Sequence, residues 1–394
     1  MTNATCATPG ITFPSCNSLP ANARGVSSLE LDVTMRCNLK CSYCFREDKR
    51  SADLTLELGK RAIDWLLLAA EGERIPSVVF FGGEPLLKFD LIKDMVIYGK
   101  RKARQLGRPI HFSMTTNATL ITTEVMEFFK SYGIGVLLSI DGCPASHDRY
   151  RSFPNGKPTS QLVEENAKIV LAHQSWAIVR WTIMPDTVQY MGESIRYFAD
   201  MGFKKMSFEA GTGADWNAGA LDALEKGLEE VAELWFSEFK KGNAFHVIPL
   251  ERPLQDLLVP GKRRKHHCGA GIGLVHMDAE GNLYPCHRWK EPVLRQRYRL
   301  GHINEGFDHA ARQRFIDFRL DKDMDAPCLL CETRPICTSF CIAAGAAAND
   351  GDMCKPEPIQ CESLRYMCRT QKALLARVQE EGLSEKVLAF VTSK

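Results

Sequence analysis

The stretch RCNLKCSYCF, residues 36–45, places Cys37, Cys41 and Cys44 within eight positions. Spacings of three and then two residues leave one thiol over from a redox pair and one thiol short of a closed tetrahedral site. Three ligands on a short loop point to a metal centre that keeps one position open, and an open position is where chemistry takes place. The rest of the chain has to be arranged around that loop.

The other cysteines fall in a pattern. Of fifteen in 394 residues, nine lie between Cys268 and Cys368, Cys143 stands alone, and only Cys6 and Cys16 precede the first group. Reducing compartments do not sustain structural disulfides, so in an intracellular chain this usage points to metal. The N-terminal MTNATCATPGITFPSC lacks the basic and apolar regions of a secretory signal, and no run of eighteen apolar residues occurs. The expected location is the cytoplasm. A net charge of +2 gives no general attraction to nucleic acid or a membrane surface, so neither is an expected partner. With 45% apolar residues the chain can build more than one core.

Between the two cysteine-rich regions the sequence reads as alternating strands and helices. Runs rich in β-branched and aromatic residues predict strands at Leu29–Val33, Ser77–Phe81, Ile110–Met114, Val136–Ile140, Ile178–Ile183 and Lys205–Glu209. Leu58, Ala62, Trp65 and Leu66 recur at helical spacing, and FDLIKDMVIYGKRKA and TTEVMEFFKSYG behave likewise. Six strands alternating with helices imply right-handed βαβ units and a parallel sheet, with chemistry at the C-terminal strand ends.

The motifs sit at those ends. RCNLKCSYC follows the first strand, FFGGEP (Phe80–Pro85) ends the second, TTN (Thr115–Asn117) the third and SIDG (Ser139–Gly142) the fourth. Gly82 and Gly83 would let a backbone approach a ligand closely, and Glu84 beside them is suited to accept from a cationic amine.

CNLKCSYC resembles the Cx3Cx2C signature of the radical S-adenosylmethionine (SAM) enzymes, and the following strand ends in the GGEP typical of that superfamily. The resemblance covers about residues 28–245 and implies an α/β fold, a partial (β/α)6 TIM-like barrel. It implies that Cys37, Cys41 and Cys44 bind three irons of a [4Fe–4S] cluster whose fourth iron is chelated by the amino and carboxylate groups of SAM. Reductive cleavage of SAM would then give a 5′-deoxyadenosyl radical that takes hydrogen from an unactivated carbon. By the same resemblance Gly82, Gly83 and Glu84 hold the SAM amine, and Ser139 and Arg151 its carboxylate or ribose. Thr115 and Asn117 complete the cofactor-binding set.

The C-terminal third resembles a second family. Cys268 is followed by Gly281 and Cys286, then by Cys328-x2-Cys331-x5-Cys337-x3-Cys341 and by Cys361, all within the spacings of the small cysteine-rich SPASM domain. A pair of zinc ribbons would need no glycine at position 281. The resemblance implies two auxiliary [4Fe–4S] clusters, three clusters in all, with Cys268, Cys286 and Cys341 on the first. Cys328, Cys331, Cys337 and Cys361 fall to the second, and Cys354 and Cys368 are spare, either being a candidate to complete the first. The expected organisation is an N-terminal extension (1–27), a radical SAM core (28–245), a SPASM domain (246–375) and a C-terminal helix (376–394). The basic run Lys262–Cys268 reads as a solvated loop, or as an offset for cluster charge or a guide for an acidic peptide. His266 and His267 are left out of the ligand sets because cysteines suffice.

Radical SAM proteins with SPASM domains mostly modify peptides or proteins. The resemblance therefore implies a peptide or protein substrate and an electron donor such as flavodoxin or ferredoxin. Two members compete: a maturase of ribosomally made peptides, forming a thioether or carbon–carbon cross-link, and an anaerobic sulfatase-maturating enzyme, oxidising Cys or Ser to formylglycine. The latter group places an aspartate base after the cysteine that corresponds to Cys286, where this chain has His287. A neutral histidine can also take a proton, so His287 is the expected catalytic residue and the cross-linker the favoured reading. About 27 residues precede the first strand, too few for an independent leader-binding core. A separate protein holding the leader, or direct docking of the substrate, is expected instead. A non-catalytic Fe–S or zinc scaffold would have no use for GGEP, TTN and SIDG at successive strand ends.

Overall fold

The computed structural model describes residues 24–46, 52–72, 74–259, 267–334, 337 and 341–393. Most of the expected N-terminal extension, and the basic run as far as His266, lie outside the described residues. Six strands run parallel in sequence order: β1 (Ser28–Thr34), β2 (Ser77–Gly82), β3 (His111–Thr116), β4 (Ile134–Ser139), β5 (Ile178–Ile183) and β6 (Lys205–Ala210). Helices alternate with them, Leu56–Ala69 after β1 being the first. Thr55 caps that helix by accepting from the Leu58 N–H, and Ala62, Trp65 and Leu66 face the core.

Burial alternates along β2 to β5, whereas β1 is buried on both faces from Leu31 to Thr34. Leu29 and Leu31, Val78 and Phe80, Val136 and Leu138, and Val179 and Trp181 are buried in the apolar core. The intervening positions, Ser113, Thr115, Ser139, Arg180, Thr182 and Ser207 among them, are only half-buried. A parallel sheet covered on both faces reads as a continuous apolar run, whereas here one face is apolar and the other polar and open. Phe81, Thr115 and Ser139 on the half-buried face line a pocket.

The sheet does not stop where the core domain was expected to end. β7 (His246–Val247) adds beyond β6, and β8 (Leu274–Met277) pairs in parallel with β1 on the opposite edge. β9 (Asn282–Tyr284), β10 (Gly301–His302) and β11 (Gly306–Phe307) follow antiparallel, completing an eleven-stranded sheet. The expected boundary at 245/246 is thus bridged, because without β8 the backbone groups of β1 would form an unpaired edge. The expected helix 376–394 is also corrected. One helix runs Pro358–Glu380 and a second Ser384–Thr392, broken at Gly382 in the left-handed region (φ +66°). The longer helix packs on the helix Ala218–Lys241, with Arg369 paired to Glu225 at 2.6 Å and Arg377 paired to Glu233.

The glycine of the second motif has a physical reason. Gly281 closes the β8–β9 hairpin at φ +94°, donating to the Asp278 carbonyl, and a Cβ there would lie 2.8 Å from His302 Nε2. We expect Gly281→Ala to cost about 1–2 kcal/mol through the left-handed backbone alone. A lowered thermal midpoint in the purified protein would show it; an unchanged midpoint would mean that the hairpin relaxes.

Candidate active site

The cysteine loop is fixed by backbone bonds to its neighbours. Gly83 N–H donates to Thr34 O and Glu84 N–H to Arg36 O, both at 2.9 Å. Further along, Lys40 N–H donates to Ser152 O at 2.9 Å and Ser42 N–H to Tyr150 O at 3.1 Å. The strand end and the loop pass so closely that a Cβ on Gly82 would lie 2.3 Å from Thr34 O, and one on Gly83 2.0 Å from Arg36 O. The glycine pair is therefore required first by the approach of protein to protein, whereas the sequence suggested close approach to a ligand.

Glu84 also departs from expectation. Its side chain is fully buried and accepts from Leu86 N–H at 3.1 Å, the Thr116 hydroxyl at 2.8 Å and Asn117 N–H at 2.8 Å. It clasps the ends of β2 and β3 and does not line the pocket beside them. Three of the acceptor sites of this carboxyl group are thus taken by the protein itself. Burial raises its pKa to about 7, against the lowering effect of the donors from Asn117, Leu86 and Thr116.

The pocket encloses about 740 Å³, its open mouth included. Cys37, Cys41 and Cys44 line it together with Gly82, Gly83, Thr115, Asn117, Ser139 and Arg151, so that among the expected cofactor residues only Glu84 is missing. Asn117 braces the loop: its Nδ2 donates to Asn38 Oδ1 at 2.9 Å and lies 3.8 Å from Cys37 Sγ. Arg151 donates through Nε to Asp141 at 2.8 Å, and its Nη1 lies 4.0 Å from Cys41 Sγ. Burial pushes the Cys41 thiol up to about 11, partly offset by Arg151.

Sequence reasoning missed several residues here. Tyr43 donates to Asp141, which also accepts from Thr182 N–H at 3.0 Å. Arg46 lines the pocket and forks onto the buried Asp32, at 2.9 and 2.5 Å. Asp141 lies inside the quoted SIDG and Arg46 two residues past Cys44. What was missing was any local signal that a strand carboxylate would pair with either arginine.

The C-terminal thiols fall into two groups. After burial, the main influences raising the Cys286 thiol are Glu30, Cys341 and Cys268, so these three cysteines stand together. Cys337, pushed to about 12 chiefly by burial, feels Cys361, Cys368, Cys331 and Cys328. Cys361 and Cys368 sit seven residues apart on one helix, which puts them on the same face, so Cys368 belongs with the second group. Cys354 has Asp352, Asp325 and Asp323 as its charged neighbours. Of the two spare thiols, Cys368 thus stands with the second group and Cys354 beside aspartates.

His287 follows Cys286 and bridges the two regions. Its backbone N–H donates to Glu30 at 2.9 Å and its Nδ1 lies 3.0 Å from the same carboxylate. The ring packs on Phe81 and Phe45, both of which line the pocket. Glu30 is held well below the usual carboxylate range: burial works against ionisation, but His287 and His276 outweigh it. An ionised carboxylate only accepts, so Nδ1 carries a proton toward Glu30.

Among the described residues, no three Cys, His or carboxylate side chains converge tightly enough to share one metal ion. Three thiols lining one pocket fit a cluster in which each binds a different iron. The model of the radical SAM superfamily matches residues 31–198. Those residues form a radical SAM domain. Enzymes of this superfamily use SAM and a [4Fe–4S] cluster, and the C-terminal cysteine-rich region of the chain fits a SPASM domain. An uncharacterized protein of Methanocaldococcus jannaschii is 34% identical over 185 residues, 47% of this chain and 63% of that protein. The chain is 25% identical over 346 residues to the cysteine-type anaerobic sulfatase-maturating enzyme of Clostridium novyi, covering 81% of this chain and 88% of that one. The radical SAM fold is shared with the solved structure of native anSMEcpe with bound AdoMet and Cp18Cys peptide. The TM-score is 0.76 at 22% identity, over 90% of this chain and 99% of that one. No helix among the described residues is long and apolar enough to cross a membrane.

Glu84 gives a prediction with a definite sign. Its folded pKa, about 7, lies above the ordinary 4.5, so its protonated form contributes stability that is complete below about pH 4.5 and lost as pH rises toward 7. Glu84→Ala would orphan two buried N–H groups, at about 1–3 kcal/mol each. Thermal unfolding should show the variant destabilised, most at low pH, with the gap narrowing toward pH 7. A gap that widens with pH would mean that Glu84 is held as a stabilised anion.

Proposed function

We propose that this radical SAM enzyme modifies a cysteine-containing peptide or protein, and that the substrate thiolate binds at the first auxiliary site. The observation that supports the reading is the grouping of Cys268 and Cys341 about Cys286, with Cys368 placed in the second group. Cys328, Cys331, Cys337 and Cys361 hold a second auxiliary cluster in this reading, giving three [4Fe–4S] clusters in all. Cys37, Cys41 and Cys44 hold the cluster that meets SAM. When bound, SAM and that cluster supply a carbon-centred radical able to take hydrogen from an unactivated carbon.

The protein's own side chains do the positioning. Gly82 and Gly83 offer backbone at the cofactor, while Thr115, Ser139 and the free edge of Arg151 offer polar contacts to its carboxylate and ribose. Asn117 holds the loop. The half-buried polar wall of β3 to β6 receives the peptide, and His287, its Nδ1–H turned to Glu30, presents Nε2 to accept a substrate proton. An open metal position keeps a bound sulfur deprotonated at neutral pH, which favours formation of a thioether. An external one-electron donor of the flavodoxin or ferredoxin class completes the reaction.

A second reading, oxidation of cysteine to formylglycine, is favoured by the likeness to the cysteine-type sulfatase-maturating enzyme, which extends over 88% of that enzyme. The two part at the product. After anaerobic reconstitution and addition of SAM, dithionite and a cysteine-containing peptide, a cross-linker yields a product that has lost two hydrogens and kept its sulfur. Formylglycine formation loses the sulfur and leaves an aldehyde. We expect the former. We also expect release of 5′-deoxyadenosine from the wild type and none from Cys37/Cys41/Cys44→Ala; release from that variant would overturn the assignment of the SAM site.

A further inference from the structure

Two buried arginines flank the cysteine loop, and they are paired differently. Arg151 reaches Cys41 Sγ and is matched to Asp141, whose carboxylate also accepts from Tyr43 and Thr182 N–H. Arg46 lies on the other side, among Cys44, Cys37 and Phe81, with its guanidinium 5.7 Å from the Phe81 ring centroid. Its partner Asp32 is fully buried on β1 and is shared. Lys290 donates to the same carboxylate, and His276 Nε2 stands 3.3 Å from it. Both come from the C-terminal region, beyond the radical SAM domain. His276 lies between Asp32 and Glu30; burial alone would lower its pKa, but the two carboxylates outweigh burial and raise it. Arg46, Lys290 and His276 thus surround Asp32, while Glu30 has His276 and His287 beside it.

We propose that Arg46, anchored by Asp32, is a fixed cation that eases electron entry into the cluster on Cys37, Cys41 and Cys44, and that Lys290 supports it from the C-terminal region. This rests on the reading that those thiolates hold the cluster. One-electron reduction adds a single negative charge to the cluster, taken from an external donor, with no bond formed or broken. A cation locked beside the thiolates in a buried site favours that extra charge and raises the reduction potential. Asp32 alone would cancel much of the benefit. With Lys290 and His276 spending their charge on Asp32, more of the Arg46 field is left to act on the sulfurs. The C-terminal region would then tune the first cluster through a side chain that does not line its pocket. Arg46 and Lys290 are positioning residues here, and the potential is their readout.

The test is a mediated redox titration by EPR of the reconstituted holoenzyme without SAM, following the signal that Cys37/Cys41/Cys44→Ala lacks. Arg46→Gln should titrate at a more negative potential than wild type, Lys290→Met should shift the same way by less, and Arg46→Lys should stay near wild type. The auxiliary signals should not move. Arg46→Gln and Lys290→Met titrating at the wild-type potential would overturn the proposal, as would an equal shift of every signal. Should Arg46→Gln fail to assemble its cluster, Lys290→Met decides, an unshifted potential counting against the proposal. If the wild type shows no signal beyond that of the triple-cysteine variant, the reading of the loop as a cluster site fails, and this inference with it.

Discussion

The structure depends on one close crossing of backbones. Where β2 ends, Gly82 and Gly83 run against Thr34 and Arg36 with no space for a side chain, and two backbone hydrogen bonds join the strand end to the cysteine loop. Glu84 then turns inward and takes the backbone and hydroxyl donors of the next strand end. The three thiols are thus carried by a loop whose course is set by the sheet. A loop held only by its own side chains could not keep three sulfurs facing one pocket before any metal arrives.

Much of this was legible in the sequence, because the signals were local. The runs rich in β-branched and aromatic residues matched all six parallel strands to within a residue or two, and the cysteine spacings picked out both thiol-rich regions. The clasp that Glu84 makes was not legible, because a glutamate after two glycines at a strand end reads equally as a ligand and as a clasp. Only the neighbouring strand, some thirty residues away, supplies the donors that decide. The polar inner wall was visible in principle, as Ser113, Thr115, Ser139 and Ser207 alternate with apolar positions, but alternation does not say whether the polar face meets solvent or a second layer.

The C-terminal region proved less separate than its cysteine pattern suggested. β8 completes the edge of β1, His287 closes on Glu30, and Lys290 and His276 reach Asp32 from the same side. All are long-range pairings between residues some 240 to 260 apart, which no local pattern encodes. Their effect is to place the three-thiol group of Cys268, Cys286 and Cys341 on the same side of the sheet as Glu30, beside the residues that border the SAM pocket. In the function we propose, a substrate between the two sites meets the radical on one flank and an open metal position on the other.

The central claim is that Cys37, Cys41 and Cys44 leave one iron free for SAM. The most direct measurement is pulsed ENDOR on the reduced, reconstituted protein mixed with SAM isotopically labelled at its amino nitrogen and carboxylate oxygens. The account predicts hyperfine coupling of both labels to a cluster, and no such coupling in the Cys37/Cys41/Cys44→Ala variant. Absence of coupling in a wild-type protein that carries its full iron, or its persistence in the variant, would contradict it.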